Sequence, residues 1–281
     1  RLLTELPFEI VLGTPLGIGK PNPFLNALYR RIKGSEDPAR RLKILTALSL
    51  ERPVAKSELE RHFLEPFVER VFGDYPDLDY VKDLRAGQLP PNIEVSEFFL
   101  KVGDYLDNAA AQQSYISTNY SFVARDLALQ GVNVIVQAIA ARHDGQALRL
   151  SLSSNPDVTA ELAERLRARS DHRFLLVGVI NHQLPFMPNA AEVTPDFFDI
   201  VVTDPAATHT LFAPPNMKVA ARDHAIGLLA ASLIPDGGTV QIGIGALGDA
   251  IAHALLLRER HNQHYRRMID ALGGELHERE L

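Results

Sequence analysis

The pattern of hydrophobic and polar positions alternates between short apolar runs and longer amphipathic stretches. Turn-forming residues, mostly glycine and proline, bound the short runs, as is typical of buried strands. The predicted strands are residues 8–12, 42–48, 131–140, 147–152, 174–180, 198–203 and 239–242. Because Asp144 and Gly145 form a turn signal between two of these runs, residues 131–152 predict a hairpin.

The stretches between the predicted strands carry apolar residues at helical spacing. The first follows a glycine- and proline-rich loop over residues 13–23 and places Leu25, Leu28, Tyr29 and Ile32 on one face. Further helices are predicted over residues 57–72, 97–108, 158–169, 223–234, 246–257 and 258–272. Regular alternation of strand and helix predicts an α/β fold, with an open, mostly parallel sheet and flanking helices.

A boundary between two domains is predicted near residues 214–218, where prolines interrupt the pattern. The N-terminal domain would span residues 1–217. Residues 218–281 contain a new helix, turn, strand and helix, which predicts the beginning of a second α/β domain that is truncated in this chain.

The composition narrows the classes of protein that the chain can represent. Its 281 residues are 46% hydrophobic and 23% charged, as in an ordinary globular protein. The net charge of −6, without a basic stripe, argues against a nucleic-acid partner. No cysteine is present, which excludes disulfides, thiolate zinc sites and cysteine nucleophiles. Neither a signal peptide nor an apolar run of about 18 residues occurs, so we expect a cytoplasmic protein without a membrane partner.

Gly243 and Gly245 lie between a predicted strand and a predicted helix, and Gly248 lies in the first turn of that helix. Such a turn permits close approach of another group and presents helix N–H groups to a negative charge. The glycines fit a tight strand–helix junction, and they also spell the G-x-G-x-x-G of a dinucleotide site. That fingerprint needs a second strand ending in an acidic residue about 20 residues later. Residues 258–267 instead predict a polar helix, which argues against a nicotinamide or flavin cofactor.

The whole segment 236–250, D-G-G-T-V-Q-I-G-I-G-A-L-G-D-A, resembles a pattern of the class I CoA-transferases. That pattern is D-G-x-T-[LV]-Q-x-G-[IV]-G-x-[IL]-x-[DN]-A, and the acetyl-CoA hydrolase/transferase branch is the most similar. Residues 13–22, 132–137, 151–155 and 179–185 resemble other landmarks of that branch, in the same order. The resemblance implies a CoA-transferase-like fold that acts on acyl-CoA and a small carboxylate, without a tightly bound cofactor.

The resemblance also implies covalent catalysis by a glutamate. The carboxylate attacks the thioester carbonyl carbon, the C–S bond breaks, and a mixed anhydride and CoA thiolate form. The thiolate then gives a glutamyl-CoA, from which a second carboxylate takes the CoA; in a hydrolase, water ends the cycle. Backbone amides of the glycine-rich turn, here Ile244, Gly245 and Ala246, would form part of an oxyanion hole.

In the family the catalytic glutamate follows the turn in an E-M-[FY] motif. That motif does not occur in the 281 residues. We therefore expect the nucleophile beyond Leu281, and we expect this chain to be inactive alone. Because the chain begins with Arg1 and not Met, we also expect residues upstream.

Several residues are candidates for substrate binding on the same resemblance. They are Gly17, Gly19, Lys20, Asn22, Asn155, Asn181 and Gly243. Residues 13–20 do not form a P-loop, because five residues separate Gly13 from Gly19 and Pro21 follows Lys20. Lys20 and Asn22 would provide polar contacts in the acyl or CoA pocket, although a purely structural loop fits equally well. Asn155 could orient a carboxylate, but its place before a helix favours a capping role.

Other chemistries have weaker support in the sequence. His261 and His264 share a helix face at a spacing that can hold a metal, but without a third ligand no metal site is predicted. A Ser–His–Asp hydrolase would need a G-x-S-x-G elbow, which is absent. A non-catalytic acyl-CoA-binding module stays open as an alternative to an enzyme. An incomplete domain would also expose apolar surface, so association into a homodimer is a further expectation.

Overall fold

The computed structural model describes residues 9–145, 147–169, 173–212 and 218–273. The strands are β1 Glu9–Gly13, β2 Arg41–Thr46, β3 Ile93–Glu97, β4 Val134–Asp144, β5 Ala147–Ser151, β6 Leu175–Ile180, β7 Glu192–Val193 and β8 Ile200–Val202. The α-helices are α1 Asn22–Lys33, α2 Glu58–Phe72, α3 Asp79–Arg85, α4 Ala109–Gln113, α5 Val123–Leu129, α6 Pro156–Arg167, α7 Ala221–Ser232, α8 Ala246–Arg260 and α9 Asn262–Ala271. Short 3₁₀ helices occupy Gly17–Gly19, Tyr120–Phe122, Asn189–Ala191, Pro195–Phe197 and Pro205–Ala207.

Six strands form a parallel sheet in the order β3-β2-β1-β4-β6-β8. Strand β4 extends beyond this sheet and pairs antiparallel with β5, which in turn pairs with β7. The predicted α/β class, with its open, mostly parallel sheet, flanking helices and hairpin, is confirmed. None of the described helices has an apolar stretch long enough to cross a bilayer.

The sheet is buried on both faces, which explains the nearly continuous apolar character of its strands. Leu12, Ile44 and Val136 belong to the core on the face covered by α1 and α3. Ile135 and Leu176 point to the opposite face, where α5 and α6 pack. Each such side chain contributes about 1.5–3 kcal/mol when it is removed from water.

The helix predicted over residues 97–108 is wrong. Glu97 is the last residue of β3, and residues 98–108 form bends and turns before α4 begins at Ala109. Gly103 and Tyr105 have φ values of 82° and 58°, which an α-helix cannot contain. Strand β3 itself was not among the strands predicted from the sequence.

Contacts between Cα atoms divide the chain into the units Arg1–Ala213 and Pro214–Leu281. In the second unit, α7, α8 and α9 pack around a small core that contains Ala231, Tyr265 and Ile269. The strand predicted over residues 239–242 is wrong, because this segment has no regular structure. A strand needs a neighbour to complete its hydrogen bonds, and residues 218–273 contain no other strand.

Candidate functional site

The carboxyl ends of the six parallel strands meet at one edge of the sheet. The strand order reverses between β1 and β4, because the chain adds β2 and β3 on one side and β4, β6 and β8 on the other. In open α/β sheets, ligands bind in the crevice outside the carboxyl ends at such a switch point. This edge is therefore the candidate site of the first unit.

The loop that follows β1 places Lys20 inside the protein. Its side chain is only 1% exposed, and its ammonium donates hydrogen bonds to the carbonyl oxygens of Ala47 and, at 3.2 Å, Leu48. Leu48 has a φ of 47°, in the left-handed region that bulky residues rarely adopt. Burial lowers the pKa of Lys20 to about 8, and the negative charge of Glu97 acts against this decrease. Lys20 thus binds the segment that follows β2.

Glu97, at the end of β3, is a buried acidic residue that was not among the candidates predicted from the sequence. It is 5% exposed, and its Oε2 accepts a hydrogen bond from the Ser49 amide at 3.4 Å. Its Oε1 has no hydrogen-bond partner among the described residues. Burial raises the pKa of Glu97, and the positive charge of Lys20 opposes that increase. The Ser49 hydroxyl also shares a hydrogen bond of 2.7 Å with the hydroxyl of Tyr80.

Gly19 and Asn155 come into direct contact at this edge, although 136 positions separate them in the sequence. A Cβ on Gly19 would lie 2.6 Å from Asn155 Oδ1 and 2.9 Å from Asn155 Cβ. The backbone carbonyl of Asn155 accepts a hydrogen bond of 3.0 Å from the side-chain Nε2 of Gln137. Asn155 precedes α6, but its side chain makes no capping hydrogen bond. The sequence favoured Asn155 as a side-chain cap of α6. That prediction is wrong, because the side chain faces the loop after β1 and makes no hydrogen bond to the helix.

Asn22 and Asn181 are also buried at this edge. Asn22 donates to the carbonyl of Pro76 at 2.8 Å, and its Oδ1 has no hydrogen-bond partner among the described residues. Asn181 follows β6; it donates to the carbonyl of His209 at 3.2 Å and accepts from the amide of Gln183 at 2.9 Å. Both side-chain amides thus connect loop backbones, and Asn22 Oδ1 is left as an acceptor without a partner among the described residues.

Gly17 is the remaining predicted residue in the first unit. It lies in the 3₁₀ turn with a φ of 59°, and the nearest atom to a Cβ there would be in the ring of Phe212 at 3.9 Å. Phe212 stacks on Phe72, and Tyr75 packs edge-on against Phe212 and His209. Burial lowers the pKa of His209 below its usual value of 6.5, so the imidazole is neutral at pH 7.

The glycine-rich turn belongs to the second unit and leads directly into α8. Gly245 precedes the helix with a φ of 133°, which only glycine adopts readily. A Cβ on Gly248 would lie 2.1 Å from the carbonyl oxygen of Gly243, so the turn requires this glycine too. The Ile244 side chain is 96% exposed, and no side chain caps α8. The first N–H groups of α8, from Ala246 onward, are thus without helical partners.

The structure does not support a dinucleotide site at the glycine-rich turn or a metal site at His261 and His264. The dinucleotide fingerprint requires a strand before the glycines, and residues 239–242 do not form one. The rings of His261 and His264 lie 6.2 Å apart. Among the described residues no group of three or more potential ligands could hold a metal ion.

Comparison with solved structures supports the fold. RipA from Yersinia pestis aligns with a TM-score of 0.58 and 17% identity, over 90% of this chain and 51% of its own. The 4-hydroxybutyrate CoA-transferase from Porphyromonas gingivalis aligns with a TM-score of 0.51 and 18% identity, over 89% of this chain and 47% of its own. The chain has a CoA-transferase-like fold. It spans about half the length of these structures, and no family model and no curated relative matches the sequence.

Proposed function

We propose that this chain binds acyl-CoA at the carboxyl edge of its parallel sheet and is part of an enzyme that transfers CoA between carboxylates or hydrolyses a short acyl-CoA. One observation carries the proposal: Gly19, Asn155 and Asn181, which the sequence assigned to substrate binding separately, lie at the same edge of a CoA-transferase-like fold. A switch point is also where this type of sheet binds its ligands.

The glycine-rich turn would supply the electrostatic part of the reaction. Attack on a thioester carbonyl places negative charge on its oxygen, and preset donors stabilise that charge. The backbone amides of Ile244, Gly245 and Ala246 are proposed as these donors, because the turn is exposed and glycines leave room for a ligand. Loss of one such donor typically costs about 3–4 kcal/mol of transition-state stabilisation.

Acyl-CoA binding is the first test of this proposal. Titration of the 281-residue chain with acetyl-CoA in a calorimeter should give saturable binding that CoA competes for and NAD does not. Replacement of Asn155 by Leu should weaken that binding, whereas replacement of the exposed Gln88 by Leu provides a control in the loop that precedes β3, at the amino ends of the strands. Binding of NAD without binding of acetyl-CoA would refute the proposal.

The covalent step is tested separately. We expect no exchange of labelled acetate into acetyl-CoA with this chain alone, because no E-M-[FY] glutamate occurs in its sequence. Exchange at a measurable rate would contradict that expectation and would require a nucleophile within these residues. Hydroxylamine trapping followed by peptide mass spectrometry would then identify it.

A further inference from the structure

We propose that Lys20 and Glu97 form a buried clamp that fixes the conformation of residues 47–49 and so positions the acyl-CoA crevice. This segment follows β2, whereas Lys20 comes from the loop after β1 and Glu97 ends β3. The clamp thus connects the ends of three neighbouring strands. The functional part of the inference rests on the proposed function; the clamp itself does not.

Backbone geometry is the first argument for the clamp. Successive carbonyl groups of an extended chain point to opposite sides. Two consecutive carbonyls, those of Ala47 and Leu48, nevertheless reach the same ammonium of Lys20. The left-handed φ of Leu48 is the local departure from extended structure that accompanies this convergence. A leucine remains in this region only where its surroundings compensate for the strain, and such strain is concentrated at ligand sites.

Burial of charge is the second argument. An ammonium removed from water is costly unless hydrogen bonds and an opposite charge compensate. The two carbonyls provide the hydrogen bonds for Lys20, and Glu97 provides the charge. Glu97 in turn accepts the amide of Ser49, so the positive and negative groups hold successive peptide groups of one segment. A loop that is free to move in solvent needs no buried charged groups to hold it. Their presence here points to a role of residues 47–49 in preorganising the crevice.

Hydrogen exchange tests the clamp in the intact chain without any ligand. The amide of Leu48 donates to the carbonyl of Phe99 at 2.8 Å, and the amide of Ser49 donates to Glu97. In Lys20→Met and Glu97→Met, both of which nearly keep the side-chain volume and remove the polar group, these two amides should exchange at least tenfold faster. Amides within β4 should keep their rates, because β4 lies outside the clamp. Lys43→Met, which removes a lysine from β2 that contacts Glu94 and Gln130, should leave Leu48 and Ser49 unchanged.

Acetyl-CoA titration tests the positioning role. We expect each clamp variant to bind acetyl-CoA about tenfold more weakly and Lys43→Met to bind normally. Adding Leu48→Gly to Lys20→Met should recover part of the affinity, because glycine adopts the left-handed conformation without strain.

The outcomes separate the clamp from the proposed function. Unchanged exchange at Leu48 and Ser49 in both variants would overturn the clamp, whatever the chain binds. Faster exchange in variants that bind acetyl-CoA normally would overturn the positioning role. Faster exchange in a chain whose wild type binds no acetyl-CoA would support the clamp and overturn the proposed function. Hydroxylamine labelling at Glu97 would make it a catalytic residue and would also overturn the positioning role.

Discussion

The carboxyl edge of the parallel sheet, in the first unit, and the glycine-rich turn, in the second unit, are the two candidate functional regions, and they differ in what stabilises them. At the edge, polar side chains such as Lys20 and Glu97 are buried and bonded to backbone groups of neighbouring loops. At the turn, Ile244 is almost fully exposed, and the shape depends on the positive φ of Gly245 and on the absence of a Cβ at Gly248. One region is held by tertiary packing, the other by local steric rules.

This difference determines how each region responds to substitution. A buried, bonded edge distributes the effect of a change over several loops, because each polar group holds another. A turn held by local sterics tolerates changes at most positions and fails at the few where a Cβ has no room. Substitutions in the two regions therefore test this contrast.

Gly248→Ala should give the largest effect, in the turn. The new Cβ would lie 2.1 Å from the backbone oxygen of Gly243, which cannot rotate away like a side chain. We expect the free energy of unfolding of the second unit to fall by about 3 kcal/mol, at the upper end for an overpacked site. Urea denaturation followed by circular dichroism measures the loss. Gly243→Ala is the matched control: nothing lies within 4 Å of its Cβ position, so a change below about 0.5 kcal/mol is expected.

Gly19→Ala should destabilise the carboxyl edge by a smaller amount, about 1–2 kcal/mol. Its Cβ would meet Asn155, a side chain that can shift in part. The same urea experiment provides the measurement. Combining it with Asn155→Gly removes the obstructing atoms, so the two effects should not add. Additive losses in the double variant would show that Gly19 is needed for a reason other than contact with Asn155.

Much of the sheet could be predicted from the sequence, and the reason lies in particular strands. Strands such as β1 and β6 are buried on both faces and read as continuous apolar runs. β3 was missed because Glu94 and Glu97 interrupt its apolar pattern. Glu94 faces solvent, whereas Glu97 is buried beside the charge of Lys20. The burial of Glu97 depends on an electrostatic interaction with a residue distant in the sequence, which no local pattern reveals.

The candidate site was predictable only as separate positions. Gly19, Asn155 and Asn181 were selected by resemblance to a family, but the contact of Gly19 with Asn155 joins two loops that lie 136 positions apart in the sequence. The strand predicted over residues 239–242 failed for a related reason. Its apolar residues fit a strand, yet a strand also needs a hydrogen-bonding neighbour, and the described part of the second unit provides none.

The pH dependence of stability should reveal the buried charge at the edge. The pKa of Lys20 is about 8 in the folded state and 10.5 in the unfolded chain. Between pH 8 and pH 10.5 the unfolded chain binds more protons at this group than the folded chain does. The free energy of unfolding therefore increases as the pH rises above 8, and it decreases again as the pH falls. Between pH 8 and 9.5, wild type should gain roughly 1–2 kcal/mol relative to Lys20→Met. Parallel curves for the two proteins in urea titrations would show that Lys20 is not buried in solution.

Ile244→Ser should have the smallest effect. It tests whether side-chain contacts stabilise the turn. Because the isoleucine is 96% exposed, its removal should change the free energy of unfolding by less than about 0.5 kcal/mol. Gly248→Ala and Ile244→Ser, four positions apart, would then show that the turn depends on backbone space and not on side-chain contacts.

The measurement on Ile244→Ser is repeated at several protein concentrations. A loss above about 1 kcal/mol that grows with concentration would mean that Ile244 is covered by a second copy of the chain, as the homodimer expectation requires. The turn would in that case be held by packing, like the carboxyl edge, and the contrast between the two regions would fail.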